Sequence, residues 1–125
     1  MNHIQSPADG DQATELAIKA AGADKAPRVT PDDIRDNIVS EYYFTAANGL
    51  DGANSDYTRD AYDALKLMTF CVLVLRNGFT VTGESACASP ENFNAEIGKR
   101  IARENAVAKV WPLMGYELKQ RLSEA

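Results

Sequence analysis

The stretch Phe70–Glu84, which reads FCVLVLRNGFTVTGE, decides the fold of this 125-residue chain. Two apolar-rich runs flank the pair Asn77-Gly78. Asn-Gly between two such runs is the strongest short-range sign of a β-hairpin, and a type I′ turn there requires positive φ at both central residues. The sequence therefore predicts an antiparallel hairpin over residues 69–85 with a type I′ turn at Asn77-Gly78.

The two strands of this hairpin differ in their apolar patterns. On the second strand, Phe79 and Val81 share one face, while Thr80 and Thr82 share the other with Glu84. The first strand, 70–75, is apolar on both faces. Because such a strand needs cover on both sides, we expect helices or a second subunit to pack against it.

Helical patterns precede the hairpin. Thr30 is a good N-cap, followed by Pro at the first helical position. Ile34, Ile38 and Tyr42 recur at helical spacing and form one apolar stripe. The pattern before the hairpin predicts a helix over 31–44, a Gly- and Asn-rich loop over 46–57, and a short helix near 62–66.

A longer helix is predicted after the hairpin, over residues 90–110, with Ser89 as its cap. It carries two stripes: one of larger residues, Phe93, Ile97, Ile101 and Ala108 with Trp111 at its edge, and one of small residues, Ala95, Gly98, Ala102 and Ala106. Pro112 is expected to interrupt this helix before a second piece over 113–122. Two stripes imply two packing partners, so we expect a homodimer or higher homo-oligomer with this helix at the interface.

These elements predict an α+β fold in which a small antiparallel hairpin or sheet packs with three or more helices. Residues 1–27 contain few large aliphatic side chains and are predicted to form a flexible arm. Residues 28–125 are predicted to form a single domain, in line with the length of the chain.

Charge and composition narrow the classes of function. The net charge of −5 argues against a nucleic-acid coat. Residues 1–65 hold 12 acidic and 5 basic side chains, and residues 66–125 hold 6 and 8. An anionic ligand is therefore expected to prefer the second half, unless the two halves differ only by chance. No apolar run approaches the length of a membrane span, and the amino terminus lacks the features of a secretory signal, so we expect a cytosolic protein.

Catalytic and metal-binding motifs are not found in the sequence. The chain has one His and two separated Cys, too few for a usual metal site, and it lacks the glycine-rich loops of nucleotide-hydrolysing enzymes. We expect no metal, no cofactor and no enzymatic activity. A small hydrolase with Glu84 or Glu104 as general base is the last of three hypotheses, since no partner nucleophile is visible.

Polar residues on the predicted long helix are the candidates for ligand binding. Glu104 falls within the apolar stripe, where a carboxylate needs a partner or a raised pKa. A pair with Arg100, or bonds from a strand end, would explain it without a ligand. Asn92, Arg100 and Arg103 lie close together with Glu96 near the helix start, a pattern that suits phosphate. An ordinary Glu96–Arg100 ion pair is the alternative.

At the level of motifs, the chain resembles a small bacteriophage family typified by gene 49 of phage N4 and gene 66 of phage Sf6. The resemblance covers about residues 28–122 and departs at Met114, where the family pattern has Glu. The motifs that carry it are Thr30–Asp32, Tyr43–Ala46, Thr69–Cys71, Leu75–Cys87, Ser89–Asn94, Ile97–Gly98, Ala102–Ala106, Trp111–Leu113 and Gly115–Tyr116. It implies a phage origin and a place in the host bacterial cytoplasm.

The hairpin and helix pattern is also similar to the anti-Thoeris proteins of phages, oligomers that sequester a cyclic ADP-ribose isomer made by a bacterial immune system. This similarity implies a non-enzymatic protein that binds a small anionic nucleotide and counters host defence. An alternative is a protein-interaction module that docks on a host protein through the acidic first half. The predicted ligand-binding residues are Phe79, Asn92, Phe93, Asn94, Arg100, Arg103 and Glu104.

Overall fold

The computed structural model describes the backbone of residues 7–125 and the side chains from residue 10 onwards. The elements follow in the order α1 (Pro7–Ala20), α2 (Pro31–Asn37), β1 (Ile38–Thr45), α3 (Ala46–Gly52), α4 (Arg59–Leu65), β2 (Met68–Leu75), β3 (Thr80–Ala86) and α5 (Ala95–Ser123). A three-stranded antiparallel sheet is thus combined with helices. The predicted α+β fold is confirmed.

The sheet has the strand order β1-β2-β3, with β2 in the centre. The pair β2 and β3 is the predicted hairpin, in which Cys71 lies opposite Gly83 and Val72 opposite Thr82. Strand β1 pairs antiparallel with the other edge of β2, with Tyr42 opposite Val72. A register shift between Ile38 and Ser40 interrupts this second ladder near its start.

The hairpin turns where the sequence predicts, but the turn type is different. The N–H of Gly78 donates to the carbonyl of Leu75 at 2.9 Å, and the N–H of Leu75 donates to the carbonyl of Phe79 at 2.8 Å. Gly78 has φ +89°, whereas Asn77 is not among the residues with positive φ. The predicted type I′ turn is therefore wrong. The bonds match a three-residue loop in which the glycine takes the left-handed position after a tight turn.

The predicted helix over 31–44 is only half helical. Its start is confirmed, because Thr30 and Asp33 form a reciprocal capping box. The chain turns extended at Ile38, however, and residues 38–45 form β1. This segment is rich in β-branched and aromatic residues, which favour a strand when an apolar neighbour such as β2 is available for pairing.

The predicted loop over 46–57 begins with a short helix, so that prediction is wrong in part. Thr45 accepts a bond from the N–H of Asn48, and the Asn48 side chain accepts one from the N–H of Thr45. This reciprocal cap starts α3 despite the glycines that follow. The short helix predicted near 62–66 is confirmed as α4, capped by Thr58.

Helix α5 starts later and runs further than the sequence predicts. Residues Pro90–Asn92 form a single 3₁₀ turn, and Asn94 caps α5 by accepting from the N–H of Ile97 at 3.0 Å. The helix then continues through Pro112 to Ser123 without interruption. Pro112 has no N–H group, so the carbonyl of Ala108 lacks its helical hydrogen bond. Both residues are exposed, and water can therefore reach that carbonyl. Packing of the helix on both sides of Pro112 outweighs the lost bond.

The core lies between α5 and one face of the sheet. Its buried members are Ile34, Cys71, Leu73, Leu75, Val81, Ala102, Ala106, Val107 and Val110. The contact is closest at Gly83, where a Cβ would lie 2.2 Å from the carbonyl oxygen of Ala102 and from the N of Ala106. The predicted stripe of small residues on α5 is the side that allows this approach, as Ala102 and Ala106 are fully buried.

The opposite face of the sheet is not buried in the same way. We call it the open face; it consists of the side chains that alternate with the core positions. Tyr42 is 59% exposed and Phe44 41%, and the apolar residues of β2 on this side are only half-buried. Within the described chain, the expected cover on both sides of β2 is therefore complete on one side only.

Helix α1 lies in the segment predicted to be a flexible arm. Its Glu15 is buried and accepts two hydrogen bonds from Arg28, one of them 2.7 Å long. The indole N–H of Trp111 donates to Asp11 at 3.1 Å. The mobility of the arm and the boundary at residue 28 stay predictions, and residues 1–6 lie outside the described part. No helix in residues 7–125 is long and apolar enough to cross a membrane.

The close approach at Gly83 gives the first testable prediction. In Gly83→Ala the new methyl group meets helix backbone, which cannot yield as a side chain does, so we expect a loss of about 3 kcal/mol or more, the upper end of overpacking costs. Gly115→Ala is the matched control, because nothing lies within 4 Å of the position that its new methyl group would take. That change should raise the free energy of unfolding by about 0.5–1 kcal/mol. Urea unfolding measures both, and equal stability of the two variants would contradict the contact.

The continuous α5 gives the second prediction. Replacing Pro112 with Ala restores the missing helical hydrogen bond, and we expect a gain of up to about 3 kcal/mol, the usual cost of an interior proline. Urea unfolding with far-ultraviolet circular dichroism measures the gain. A loss of stability would instead indicate two helical pieces that depend on a break at this residue.

Candidate functional site

The predicted ligand-binding residues fall in two separate places. Phe79 follows the hairpin turn, beside the carboxyl-terminal half of α5. The other six lie before or within the amino-terminal half of α5. Asn94 and Leu113, which mark the two places along the helix, are about 28 Å apart at 1.5 Å per residue. The structure therefore does not combine Phe79 with the other six in one site within a single chain.

The first place is a groove of about 1070 Å³, which we call the hairpin groove. It lies between α2, the hairpin turn and the last three turns of α5. The residues that line it are Arg28, Val29, Asp33, Asp36, Asn37, Leu75, Arg76, Asn77, Phe79, Leu113, Met114, Glu117, Leu118 and Arg121. Its volume is slightly above the usual range for small-molecule sites, about 300–1,000 Å³.

Phe79 is the aromatic side chain of the hairpin groove, and it is 56% exposed. The turn fixes its backbone, because the side chain of Asn77 accepts a bond from the N–H of Phe79 at 2.9 Å. Leu75, Leu113 and Met114 add apolar surface to the same groove. A flat apolar ring can therefore lie on Phe79 without displacing any core residue.

Arg76 is the cation next to Phe79 in the turn. Its Nη2 donates to the backbone carbonyl of Asp36 at 2.6 Å, and its own N–H donates to the carbonyl of Asn37 at 2.9 Å. These bonds tie the turn to the end of α2. Because the acceptor of the guanidinium bond is a neutral carbonyl, this bond holds Arg76 in place without neutralising its charge.

Arg121 is a second cation of the hairpin groove and is paired with Glu117, one helical turn earlier. Its Nε and Nη2 donate to the two carboxylate oxygens at 2.5 and 2.9 Å. This hydrogen bond to Glu117 raises the pKa of Arg121. Both side chains are mostly exposed, and exposed pairs contribute little to stability. An anion can therefore replace Glu117 as the partner of Arg121 with little loss of folding stability.

Arg28 has a structural role in the wall of the groove. Its hydrogen bonds hold the pKa of Glu15 below the ordinary value of 4.5, although burial of that carboxyl acts in the opposite direction. The pair connects α1 to the segment before α2. We infer that Arg28 remains bonded to Glu15 and supports the wall of the groove, so that its guanidinium group is not the main binding group for an anion there.

The second place, the amino-terminal cluster, holds the other predicted residues: Asn92, Phe93, Asn94, Arg100, Arg103 and Glu104. Asn92 is exposed in the 3₁₀ turn, and Phe93 is half-buried after it. The side-chain oxygen of Asn94 caps α5. A ligand at this end of the helix would compete with Ile97 for that oxygen.

Arg103 is half-buried and bonded across to the sheet. Its Nε lies 3.2 Å from both carboxylate oxygens of Glu41, which also accepts the hydroxyl of Tyr43 at 2.7 Å. Burial, and then the bond to Glu41, raises the pKa of the Tyr43 hydroxyl. Burial likewise raises the pKa of the neighbouring Cys71 thiol, which favours an unreactive core cysteine. This network ties α5 to β1.

Glu104 is a partly buried carboxyl group in the structure, as its place in the apolar stripe of the sequence predicts. Its Oε2 is buried and has no hydrogen-bond partner among the described residues. Burial raises the pKa of Glu104 from the ordinary 4.5, and the charge of Arg100 partly offsets this. Of the two explanations without a ligand, the one by Arg100 is supported by this charge effect, and no strand end among the described residues donates to the buried oxygen.

Metal ligands do not cluster in residues 7–125, since no group of three or more His, Cys, Asp or Glu side chains is placed to hold an ion. The expected absence of metal, cofactor and catalysis stays a prediction. The chemistry that both places offer is charge-assisted hydrogen bonding, joined in the hairpin groove by aromatic stacking.

The class of the chain follows from the comparison with protein families. Residues 29–122 match the model of the phage protein (N4 Gp49/phage Sf6 gene 66) family. The match spans most of the chain, and the chain belongs to this phage family. It gives no support to the further similarity to anti-Thoeris proteins. No curated protein and no solved structure matches the chain.

Sequence reasoning missed several residues of the hairpin groove, among them Arg76, Leu113 and Arg121. Arg76 stands directly before Asn77-Gly78, so its place beside Phe79 was visible in the hairpin pattern. Leu113 and Arg121 were not, because the expected break at Pro112 placed them on a separate helix. Their position depends on a continuous α5.

The buried carboxyl of Glu104 gives the third prediction. Because its pKa is higher in the folded than in the unfolded state, the folded protein binds more protons above about pH 4.5, and stability falls as pH rises from there. Glu104→Gln cannot ionise, so its advantage over the parent in free energy of unfolding should grow between pH 4 and pH 7. Urea unfolding at both pH values measures it, and Glu96→Gln, which removes an exposed carboxylate, controls for net charge. An advantage that shrinks with pH would show that Glu104 is stabilised as an anion.

Proposed function

We propose that this phage protein is a non-enzymatic binding protein that holds a small anionic nucleotide in the hairpin groove. By sequestering such a signal, a cyclic ADP-ribose isomer or a cyclic oligonucleotide, it would counter host defence in the bacterial cytoplasm. The observation that carries the proposal is an exposed aromatic ring, Phe79, placed beside Arg76 and Arg121 in one groove.

Stacking on Phe79 would provide the affinity for the base. Its exposure leaves one face available, and Leu113 and Met114 extend the apolar surface next to it. Stacking of a base on an aromatic side chain is worth about 1–3 kcal/mol. Because every base has a flat face, this contact alone favours nucleotides as a class and does not choose among bases.

The two arginines would take the phosphates. Arg76 is held by a neutral carbonyl, and Arg121 is held by an exposed carboxylate that a phosphate can replace. Guanidinium groups bind phosphate through two parallel hydrogen bonds, so two of them suit a ligand with more than one phosphate. The acidic residues of the groove oppose binding of a simple anion, which favours a ligand that also supplies a ring for Phe79.

A binding role fits the groove better than a catalytic one. Its lining residues within the described chain include no Ser, Thr, Cys, His or Lys. Among the carboxylates of the groove, Asp33 already has a structural role, because it accepts a hydrogen bond from the N–H of Thr30 in the capping box. The residues that remain can bind and orient a ligand, but they do not form a nucleophile with an adjacent base.

The alternative function, a module that docks on a host protein, is favoured by the corner between α3 and α4. Tyr57 is 45% exposed there and packs on Tyr62, with ring centroids 4.7 Å apart. The Tyr62 hydroxyl donates to Asp51 at 2.7 Å, and Asp56 and Asp60 are also exposed. An aromatic side chain among acidic ones suits a basic protein surface.

Calorimetric titration against cyclic nucleotides and ADP-ribose isomers tests the first proposal. Phe79→Ala should weaken binding about 5- to 150-fold, as expected from the loss of one stacked base. Arg76→Ala should weaken it about tenfold or more through the loss of a charge-assisted bond to phosphate. The matched controls are Phe93→Ala and Arg100→Ala in the amino-terminal cluster, which should leave affinity within about twofold.

The opposite pattern would contradict the assignment of the groove. If Arg100→Ala and Arg103→Ala weaken binding while Phe79→Ala does not, the ligand lies in the amino-terminal cluster. If no member of the panel binds the parent protein, the nucleotide proposal is wrong. Capture of a defined host protein that is lost in Tyr57→Ala would then favour the alternative function.

A further inference from the structure

We infer that helix α1 is a releasable strap that competes with an anionic ligand for Arg28, so that its release adds a third arginine to the hairpin groove. The inference deepens the proposed function and rests on it, because it concerns the same groove and the same class of ligand. Arg28 lines two cavities: the hairpin groove, and a smaller one of about 390 Å³ that α1 lines with Gln12, Glu15 and Lys19. The guanidinium group is therefore placed to bond either to α1 or to a ligand in the groove.

Two carboxylates attach α1 to the rest of the molecule. Asp11 accepts the indole N–H of Trp111 at 3.1 Å, which joins α1 to α5. Glu15 accepts hydrogen bonds from both terminal nitrogens of Arg28. The two carboxylates are one helical turn apart and lie on the same face of α1. Docking of the strap therefore depends on a small number of polar contacts.

Apolar packing adds little to this attachment. Of the two large apolar side chains of α1, Leu16 is 69% exposed and Ile18 is only partly buried. Among residues 10–125, the buried core has no member from α1, and the family match begins at residue 29. A helix of 14 residues is marginal in water without its packing contacts. Release of α1 is therefore compatible with an intact core in the rest of the chain.

The bond between Glu15 and Arg28 is the contact that a phosphate can replace. A guanidinium group binds carboxylate and phosphate through the same pair of parallel hydrogen bonds, so the two anions are alternatives at one cation. The side chain of Arg28 is 21% exposed, which leaves it accessible to a ligand. While α1 is docked, Arg28 remains bonded to Glu15. A ligand phosphate that takes its place removes one of the two carboxylate contacts of the strap.

The charges around the groove also favour the binding of an anion after release. The lining holds three arginines and three carboxylates: Arg28, Arg76, Arg121, Asp33, Asp36 and Glu117. Docked α1 adds a fourth carboxylate, Glu15, next to Arg28, so negative charges outnumber positive ones. Lys19 of α1 is 60% exposed and lines the smaller cavity, so its release takes little positive charge from the groove.

Docking of α1 and binding of the ligand are then linked in both directions. A ligand that bonds to Arg28 loosens α1, and docked α1 weakens ligand binding by the same factor, because coupling between two binding events is reciprocal. Trp111 reports the docking, since it is the only tryptophan of the chain and its indole loses Asp11 when α1 leaves. Its fluorescence emission should move to longer wavelength when water replaces the strap.

Tryptophan fluorescence and calorimetric titration of the full chain test the inference, with ADP-ribose and inorganic pyrophosphate as probes. Glu15→Gln keeps the length of the side chain and removes the charge that holds Arg28. Without ligand, this variant should shift the emission of Trp111 to longer wavelength. It should also bind both probes about fivefold or more tightly than the parent, the lower end of usual coupling effects. The double variant with Glu15→Gln and Arg28→Gln should lose this gain in affinity.

Asp24→Asn is the matched control. Asp24 is exposed, lies outside α1, and acts on Arg28 through its charge. Its replacement removes the same charge as Glu15→Gln, but it should leave the emission of Trp111 unchanged and the affinity within about twofold. If Asp24→Asn tightens binding as much as Glu15→Gln does, net charge alone explains the gain and the inference is wrong.

The two probes separate this inference from the proposed function. If ADP-ribose binds the parent, but Glu15→Gln fails to shift the emission or fails to tighten binding, the strap is overturned while the proposed function stands. If pyrophosphate binds Glu15→Gln more tightly than the parent, with the shift in emission, while no nucleotide binds either protein, the strap is supported and the nucleotide proposal is wrong. If neither probe binds any variant, both are wrong.

Discussion

The close contact between α5 and the hairpin is the constraint on which the rest of the structure depends. Gly83 has no side chain, and the backbone of α5 at Ala102 and Ala106 occupies the space where a Cβ would lie. One hydrogen bond on the same side, from the Ser85 hydroxyl to the Gly98 carbonyl at 2.7 Å, fixes the helix along β3. With the helix this near, Leu73 and Val110 are fully buried in a domain that has only one covered sheet face.

This contact also determines where each surface lies. Because α5 is fixed at Gly98 and Ala102, its uninterrupted course past Pro112 brings Leu113 and Arg121 to the hairpin turn, and so forms the hairpin groove. Because α5 takes one face of the sheet, the other is left to solvent or to a partner. One helix therefore accounts for both the hairpin groove and the open face, and its amino-terminal half is tied to β1 through Arg103 and Glu41.

The fold was predictable wherever a local sequence pattern was compatible with only one local structure. Asn77-Gly78 located the hairpin, and Thr30 located the start of α2, because turn and capping chemistry depend on adjacent residues. The strand character of 38–45 was hidden, since Ile34, Ile38 and Tyr42 also fit a helix, and only pairing with β2 decides between the two. Phe79 was identified as a candidate from the sequence, whereas the arginine beside it on α5 depends on a contact between residues more than forty positions apart.

Chemical-shift mapping by heteronuclear NMR tests the central claim most directly, that the groove formed by the continuous α5 and the hairpin is the ligand site. On titration with ADP-ribose, an anionic nucleotide with two phosphates, the account predicts the largest amide shifts at residues 76–79 and 113–121. Resonances of residues 92–104 and of the open face should move little. Shifts concentrated in residues 92–104, or no shifts at the highest ADP-ribose concentration, would contradict the assignment of the ligand site to the hairpin groove.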